Sequence, residues 1–369
     1  MDRQSKGKTL MLEIKKIRLF ELEDFVKSKI FQEFNVVPIT SFRAKSYLRN
    51  PVAESDDVVL YLGLVKNQLV AFRSLFAGVT FVNNNPIRFA WCSGSWVSPD
   101  YRRKGFSQRL LAEAYADWKG MLMLTNYSPE TERLFIKTGW FRPVHRFEGV
   151  RCYLYPKTGK LLAASNKNKF TGLFLLAVDF LIRLFSSFKA RFYKPKIDSR
   201  FRFEELQFPD VECFERIRES KGTYLFNRGE EHLKWIFEYP WISDCNKGFR
   251  EIYPFSSFSS EFYYRTVKIF HLNRFVGFFI FSVREGHLKT LYFQINKELE
   301  GEIASYLKKY CVDNKIEMAT IYNSEIAGAL FKQKFPFLRM KKMGQKIYST
   351  FPVSGDLQFQ DGDGDVFFT

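Results

Sequence analysis

Arg102-Arg103-Lys104-Gly105-Phe106-Ser107 gathers three cations, a glycine and a small hydroxyl residue into six positions. An apolar run, Phe89 to Val97, and a Ser98-Pro99-Asp100 turn precede it. Behind it Leu110, Leu111, Ala114, Tyr115 and Trp118 recur at helical spacing. The expected order is strand, basic loop, helix. The first turn of a helix has unpaired N–H groups and the positive end of the helix dipole. A loop whose N–H groups converge there forms a phosphate site. Gly105 lets the backbone approach such a ligand closely, and Arg102, Arg103 and Lys104 add mobile positive charge. The competing reading is a surface turn with solvated charges.

The pattern Arg-x-x-Gly-x-Ser after Val-x-Pro, set between a strand and a helix, resembles motif A of the GNAT acyltransferase superfamily. The family form is Gln/Arg-x-x-Gly-x-Gly/Ala, so Ser107 departs from it. A second likeness follows Met121 to Thr125. Asn126, a Ser128-Pro129 helix start, Leu134-Phe135 and a Gly139 stop are similar to the family's Asn and short helix ending Leu-Tyr-x-x-x-Gly-Phe. Phe135 stands where many members carry a Tyr that protonates the departing thiolate, so the usual general acid is missing.

The resemblance implies acetyl-CoA, or another acyl-CoA, as co-substrate and no metal. Backbone groups of Ser95, Trp96 and Val97 would hold the pantetheine and the thioester carbonyl. Arg102, Arg103, Lys104, Gly105, Phe106 and Ser107 would hold the pyrophosphate. Asn126 and the helix through Phe135 would flank the CoA arm. The implied reaction is N-acyl transfer, most simply acetyl transfer, by direct attack of a primary amine in a ternary complex. Such attack needs a base to leave the amine neutral. The strand Phe89 to Val97 contains no Asp or Glu. Tyr127, Glu148 and His145 are the candidates outside it, each with a structural role as its alternative. Without those groups the chain reads instead as a non-catalytic CoA-binding or scaffold protein of the same fold, or as a Fem-type aminoacyl transferase.

The elements that must position this loop form a repeating series. Leu10 to Arg18 reads as a strand and Phe20 to Phe34 as a helix. Val58 to Val65, Leu69 to Val82 and Ile87 to Val97 make an antiparallel meander with short polar turns. After the loop and helix come a strand ending at Thr125, the short helix, and a closing strand over Val150 to Tyr155. From Phe201 the order starts again, with strands at 262–270, 274–284 and 287–295. Asn126…Leu134-Phe135…Phe141 aligns, with a one-residue gap, with Asn323…Leu330-Phe331…Phe337. Where the second half should carry a phosphate loop it reads Asn296-Lys297-Glu298-Leu299-Glu300-Gly301, which is acidic.

The fold class expected is α+β, or mixed α/β: two tandem GNAT-like domains, each a twisted, mostly antiparallel sheet flanked by helices. The architecture is similar to that of mycothiol synthase, N-myristoyltransferase and the Fem-type transferases. The expected boundaries are an extension at 1–10, an acyl-CoA-binding domain at 11–155 and a basic linker at 156–200. A domain without a phosphate loop follows at 201–350, and an acidic, aromatic tail at 351–369. The chain's 369 residues exceed one comfortable core.

Charge and composition bound the partners. The net charge is +17, and eleven Lys/Arg against two Asp lie within residues 151–200 alone. That patch suits an anionic membrane or an anionic substrate. No nucleic-acid motif accompanies it, and no nucleic acid is expected. Five scattered cysteines and four histidines show no metal spacing, which suits a reducing, cytoplasmic setting. Residues 1–10 lack an apolar signal core.

Phe170 to Phe192 is strongly apolar, with Asp179, Arg183, Ser186, Ser187 and Ala190 on one narrow strip. Asp179 and Arg183 argue against a spanning helix. Three readings stay open: a linker packed between domains, an amphipathic helix on an anionic inner membrane surface, or a dimer contact. The acceptor is expected between the halves, because domain clefts favour ligand sites. An amine with apolar and anionic parts fits, such as an amino sugar on a lipid carrier or an envelope polysaccharide precursor. The Asp361-Gly362-Asp363-Gly364-Asp365 run lacks the spacing of a calcium loop. It reads either as a flexible acidic tail or as a segment docked in a groove.

Overall fold

The structure, a computed structural model, describes residues 11–82, 85–125, 129–156, 169–220, 222–226, 228–243, 253–255, 257–295, 298–353 and 355–369. In its first half come β1 (Glu13–Arg18), α1 (Leu22–Lys27), α2 (Lys29–Gln32) and α3 (Ser41–Leu48). The meander β2 (Val58–Val65), β3 (Gln68–Val82) and β4 (Asn85–Val97) follows. Then come α4 (Phe106–Asp117), β5 (Leu122–Thr125), α5 (Pro129–Thr138) and β6 (Arg142–Tyr153). Helix α6 (Lys169–Arg191) leads to β7 (Phe201–Leu206), α7 (Val211–Glu219) and α8 (Glu230–Glu238). The second meander is β8 (Phe262–His271), β9 (Arg274–Arg284) and β10 (His287–Ile295). The chain closes with α9 (Glu300–Asp313), β11 (Met318–Ile321), α10 (Ser324–Lys332) and β12 (Arg339–Ser349).

All twelve strands form one sheet, in the order β1-β2-β3-β4-β5-β12-β6-β11-β10-β9-β8-β7. The order read from either end repeats the same scheme, with β12 and β6 exchanging roles at the centre. Strand β12 of the second half lies between β5 and β6 of the first. Strand β6 lies between β11 and β12. The two central strands pair antiparallel from Arg339 opposite Tyr153 to Ser349 opposite Arg142. Neither half therefore completes its sheet with its own strands.

Burial on both faces explains the run Val-Val-Leu-Tyr-Leu-Gly-Leu-Val of β2: only Val58 is less than buried. One face of the first half carries Ala71, Leu75, Ala90 and Leu122 against Leu110, Leu111 and Ala114 of α4. The other packs Phe72, Phe76, Phe89 and Trp91 against Trp235 and Ile236 of α8 and Phe367 and Phe368 of the tail. The tail is thus docked, with Asp361, Asp363, Val366, Phe367 and Phe368 all buried.

Four elements depart from the sequence reading. The helix expected over Phe20 to Phe34 is broken at Ser28. That residue is extended (φ −73°, ψ 154°) and its hydroxyl accepts from Phe31 N to start α2. Strand β6 begins at Arg142, eight residues before the expected strand. Strand β12 carries no apolar alternation in its first half, where its side chains are mostly exposed. Helix α6 docks by the strip through Ser186, which is buried and donates to Leu154 O, while Arg183 and Ser187 stay exposed. Its large apolar side chains face outward.

Candidate active site

The meander itself makes the opening. Ser74 pairs with Gly94 and Leu75 with Cys92, so Ser93 is an extra residue in β4, a β-bulge. Strand β5 runs parallel to β4 and pairs with it only at Ala90 and Trp91. Beyond Trp91 the pairing ends, and among the described residues β4 from Ser93 to Val97 has no partner strand on that side, which leaves it as one wall of a wedge. Ser95 is exposed, Trp96 and Val97 half-buried, and Trp96 stacks on Phe72 with centroids 5.7 Å apart.

At the mouth of the wedge Ser98 N donates to Val70 O at 2.8 Å, anchoring the start of the basic loop. Arg103 and Gly105 both adopt left-handed backbone, at φ 63° and 79°. Gly105 caps α4 with no side chain, so the first-turn N–H groups receive no side-chain acceptor from the cap position. A Cβ at Gly105 would meet only Gln108 Oε1, at 3.9 Å. The space over the helix start is open. Arg102, Arg103 and Lys104 are exposed around it.

A fourth cation lies beneath. Arg73 of β3 is 1 % exposed, and its Nη2 donates to Ser107 Oγ at 3.3 Å. Its Nε has no protein partner. Burial lowers the affinity of this guanidinium for its proton below the ordinary arginine value. The uncapped helix start, the open space above Gly105 and this orphaned donor fit a polyanionic head with an extended arm, as in an acyl-CoA. Arg102 to Ser107 would hold its phosphates and the β4 wall its arm.

The opposite face of β4 carries a different group. Ser93 Oγ donates to Asp365 Oδ2 at 3.0 Å. Arg43 of α3, buried, bonds Ser93 Oγ, Tyr253 Oη (2.8 Å) and Tyr47 Oη (3.1 Å). Its guanidinium lies 3.9 Å from the Trp241 ring centroid. Gly364 brings the tail onto Trp91 so closely that a Cβ there would sit 2.1 Å from the indole. Lys289 of β10 donates to Thr369 O at 3.1 Å. Burial pushes Lys289 down to about 8, and Arg284 and Arg151 push it the same way.

The second half repeats the wedge and fills it. Thr290 pairs with Phe281 and Tyr292 with Ile280, so Leu291 is the bulge of β10. Strand β11 pairs with β10 only from His287 to Lys289. Gly362 N donates to Leu291 O at 2.7 Å. The Gln360 amide exchanges two bonds with the Phe293 backbone, at 2.9 and 3.0 Å. Asp361 Oδ2 accepts from Tyr322 N at 2.8 Å and from Thr290 Oγ1, which ties the tail to both strands. At the start of α9, Glu300 and Glu302 repel anions.

Ser95, Trp96, Val97 and Arg102 to Ser107 therefore surround one wedge. Phe135 is buried under it, its ring 5.9 Å from the Arg73 guanidinium and 4.8 Å from Phe141. Asn126 and Tyr127 lie outside the described residues. Glu148 and His145 are on β6, two strands beyond β5, about 10 Å at ordinary strand spacing. Glu148 is exposed and pairs with Arg146 at 3.5 Å. His145 stacks on Phe359 at 4.1 Å, beside the filled wedge, and burial lowers its pKa. Sequence reading missed Arg43, Arg73, Ser93, Lys289 and Asp365. Asp365 and Ser93 lay in stretches whose composition drew notice, the acidic tail and the Phe89 to Val97 strand.

Two halves built on one scheme, each with a bulged fourth strand parting from its parallel neighbour, define a tandem GNAT fold. One solved structure has the same fold. A tandem GNAT protein from the clavulanic acid biosynthesis pathway matches 93% of this chain and 100% of its own, at 10% identity and a TM-score of 0.52. A probable N-acyltransferase from Enterococcus faecalis V583 matches 92% of this chain and 72% of its own (10% identity, TM-score 0.49). A GCN5-related N-acetyltransferase from Kribbella flavida matches 93% and 72% (13% identity, TM-score 0.47). No family model matches the chain, and no curated protein matches it in sequence.

Proposed function

We propose that the chain is an acyl-CoA-dependent N-acyltransferase with one working site, in its first half. One contrast carries this reading. The β4/β5 wedge opens beside a cationic helix start, while the β10/β11 wedge is filled by residues 360–362 and faces two glutamates. An acyl-CoA bound in the open wedge would supply an activated acyl thioester. Arg102, Arg103, Lys104 and the first N–H groups of α4 neutralise its phosphates. Backbone N–H groups of Ser95 to Val97 polarise the carbonyl oxygen and stabilise the charge it gains. Asp365 takes the proton of the acceptor amine as its nitrogen bonds the carbonyl carbon; the carbon–sulfur bond then breaks, and CoA leaves as a thiolate that takes its proton from solvent. Arg43 positions Asp365 through Ser93. The acceptor lies between the halves, where Lys289, Arg284 and Arg151 suit an amine that also carries an anionic group.

Calorimetric titration with acetyl-CoA tests the donor site. Wild type binds, and Gly105→Trp, which blocks the loop and strains it, does not. Wild type that fails to bind acetyl-CoA or a longer acyl-CoA refutes the proposal. Thiol release over a panel of amines then tests catalysis. Phe135 in place of an acid favours a second reading, a CoA-binding protein without turnover. Binding without thiol release on any amine would establish that one.

A further inference from the structure

Helix α6 is amphipathic in reverse. The strip through Asp179, Ser186 and Ala190 faces the protein, with Arg183 and Ser187 exposed at its edge. Ser186 is buried against Leu154, and the Lys189 ammonium donates to Phe337 O at 3.1 Å. Phe180, Leu181, Leu184, Phe185, Phe188 and Phe192 face outward, each between 58 and 66 % exposed. Scattered exposed apolar residues are ordinary, but a row on one helix is not. The helix is 23 residues, about 34 Å long. Among the described residues no helix is long and apolar enough to cross a membrane.

We infer that this face is a docking surface for a bilayer containing anionic lipid, with the helix lying in the plane of the headgroups. Charge selects this occupant. The chain carries +17, and Arg183, Arg191, Lys194 and Lys196, all exposed, border the apolar row. Arg191 lies among the apolar residues, one turn beyond Phe188. At a lipid surface its stem stays in the apolar layer and its head reaches a phosphate. An apolar face with a basic border is the combination that holds peripheral helices on anionic bilayers. Phe335, 45 % exposed, contacts Tyr193 at 6.1 Å and Lys189 at 5.4 Å and widens the patch beyond the helix.

The test is co-sedimentation of the full chain with phosphatidylcholine vesicles holding about a third phosphatidylglycerol. Wild type should pellet with them at low salt, and much less with pure phosphatidylcholine. The double variant Phe185→Glu/Phe188→Glu should bind at least tenfold more weakly with an unchanged unfolding midpoint, because both side chains are exposed. Wild type left in the supernatant, or a double variant that binds like wild type, would overturn the inference. So would a wild-type dimer that ignores vesicles and is dissolved by the same two substitutions. The helix face does not depend on the acyltransferase reading. Gly105→Trp should lose acetyl-CoA and still pellet with vesicles, so the two proposals can fail separately.

Discussion

Asp365 lies 272 positions from Ser93 in sequence and 3.0 Å from it in space. That contact supplies β4 with the carboxylate its own residues lack. Replacing Asp365 with Asn keeps size and hydrogen bonding and removes the proposed base. Turnover should fall about a hundredfold or more, with acyl-CoA affinity unchanged, as read by thiol release and calorimetry. Arg73→Met makes a different prediction. A buried cation with an orphaned nitrogen contributes little net stability, so the melting temperature should hold. Acyl-CoA binding should weaken about tenfold, the worth of one charge-assisted hydrogen bond. The Gly105 loop was legible in the sequence because its parts are neighbours: glycine, cations and the following helix. The Ser93–Asp365–Arg43 cluster was not, because each member comes from a different segment and none has a telling local pattern.

At the scale of elements, legibility followed apolar patterning. The meander 58–97 has dense, uninterrupted apolar runs, and it was read strand for strand. Strand β12 begins Arg-Met-Lys-Lys-Met-Gly, a sequence shaped by an exposed position, and no periodicity marked it. Helix α3, which delivers Arg43, lies between two prolines and starts at a Thr40 cap, a signal too short to stand out. The loop–helix junction allows a sharp test. Gly105 sits at φ 79°, where a side chain costs about 1–2 kcal/mol. Gly105→Val should lower stability in urea by about that amount and should also cost most of the acyl-CoA affinity.

For the whole molecule, the tail is the joint between the halves. Phe368 stacks on Trp241 at 4.4 Å and meets Phe76 and Trp235 edge-on. Phe368→Ala should cost about 3–5 kcal/mol in urea unfolding. The tail also brings pH dependence. Burial pushes Asp361 up to about 6 and Asp363 up to about 7, only partly offset by the donors to Asp361 and by Arg228 near Asp363. In the unfolded chain both titrate near the ordinary carboxyl value of about 4. The folded state therefore holds these protons more tightly, and the stability they contribute below about pH 4 is lost as pH rises through 6 to 7. In Asp363→Asn the side chain is neutral throughout. The variant should gain on wild type between about pH 5 and pH 8, as measured by urea midpoints at each end.

The order of the chain gives the tail a temporal meaning. The loop at 102–107 is made well before residues 364 and 365, which lie beside Trp91 and Ser93. During synthesis the first half emerges with its helix start and cations already present, but without β12 in its sheet or Asp365 at its bulge. Under the proposed chemistry, a nascent or prematurely ended chain could carry the donor's phosphate loop and still be unable to use it. Activity would report that synthesis had passed residue 365.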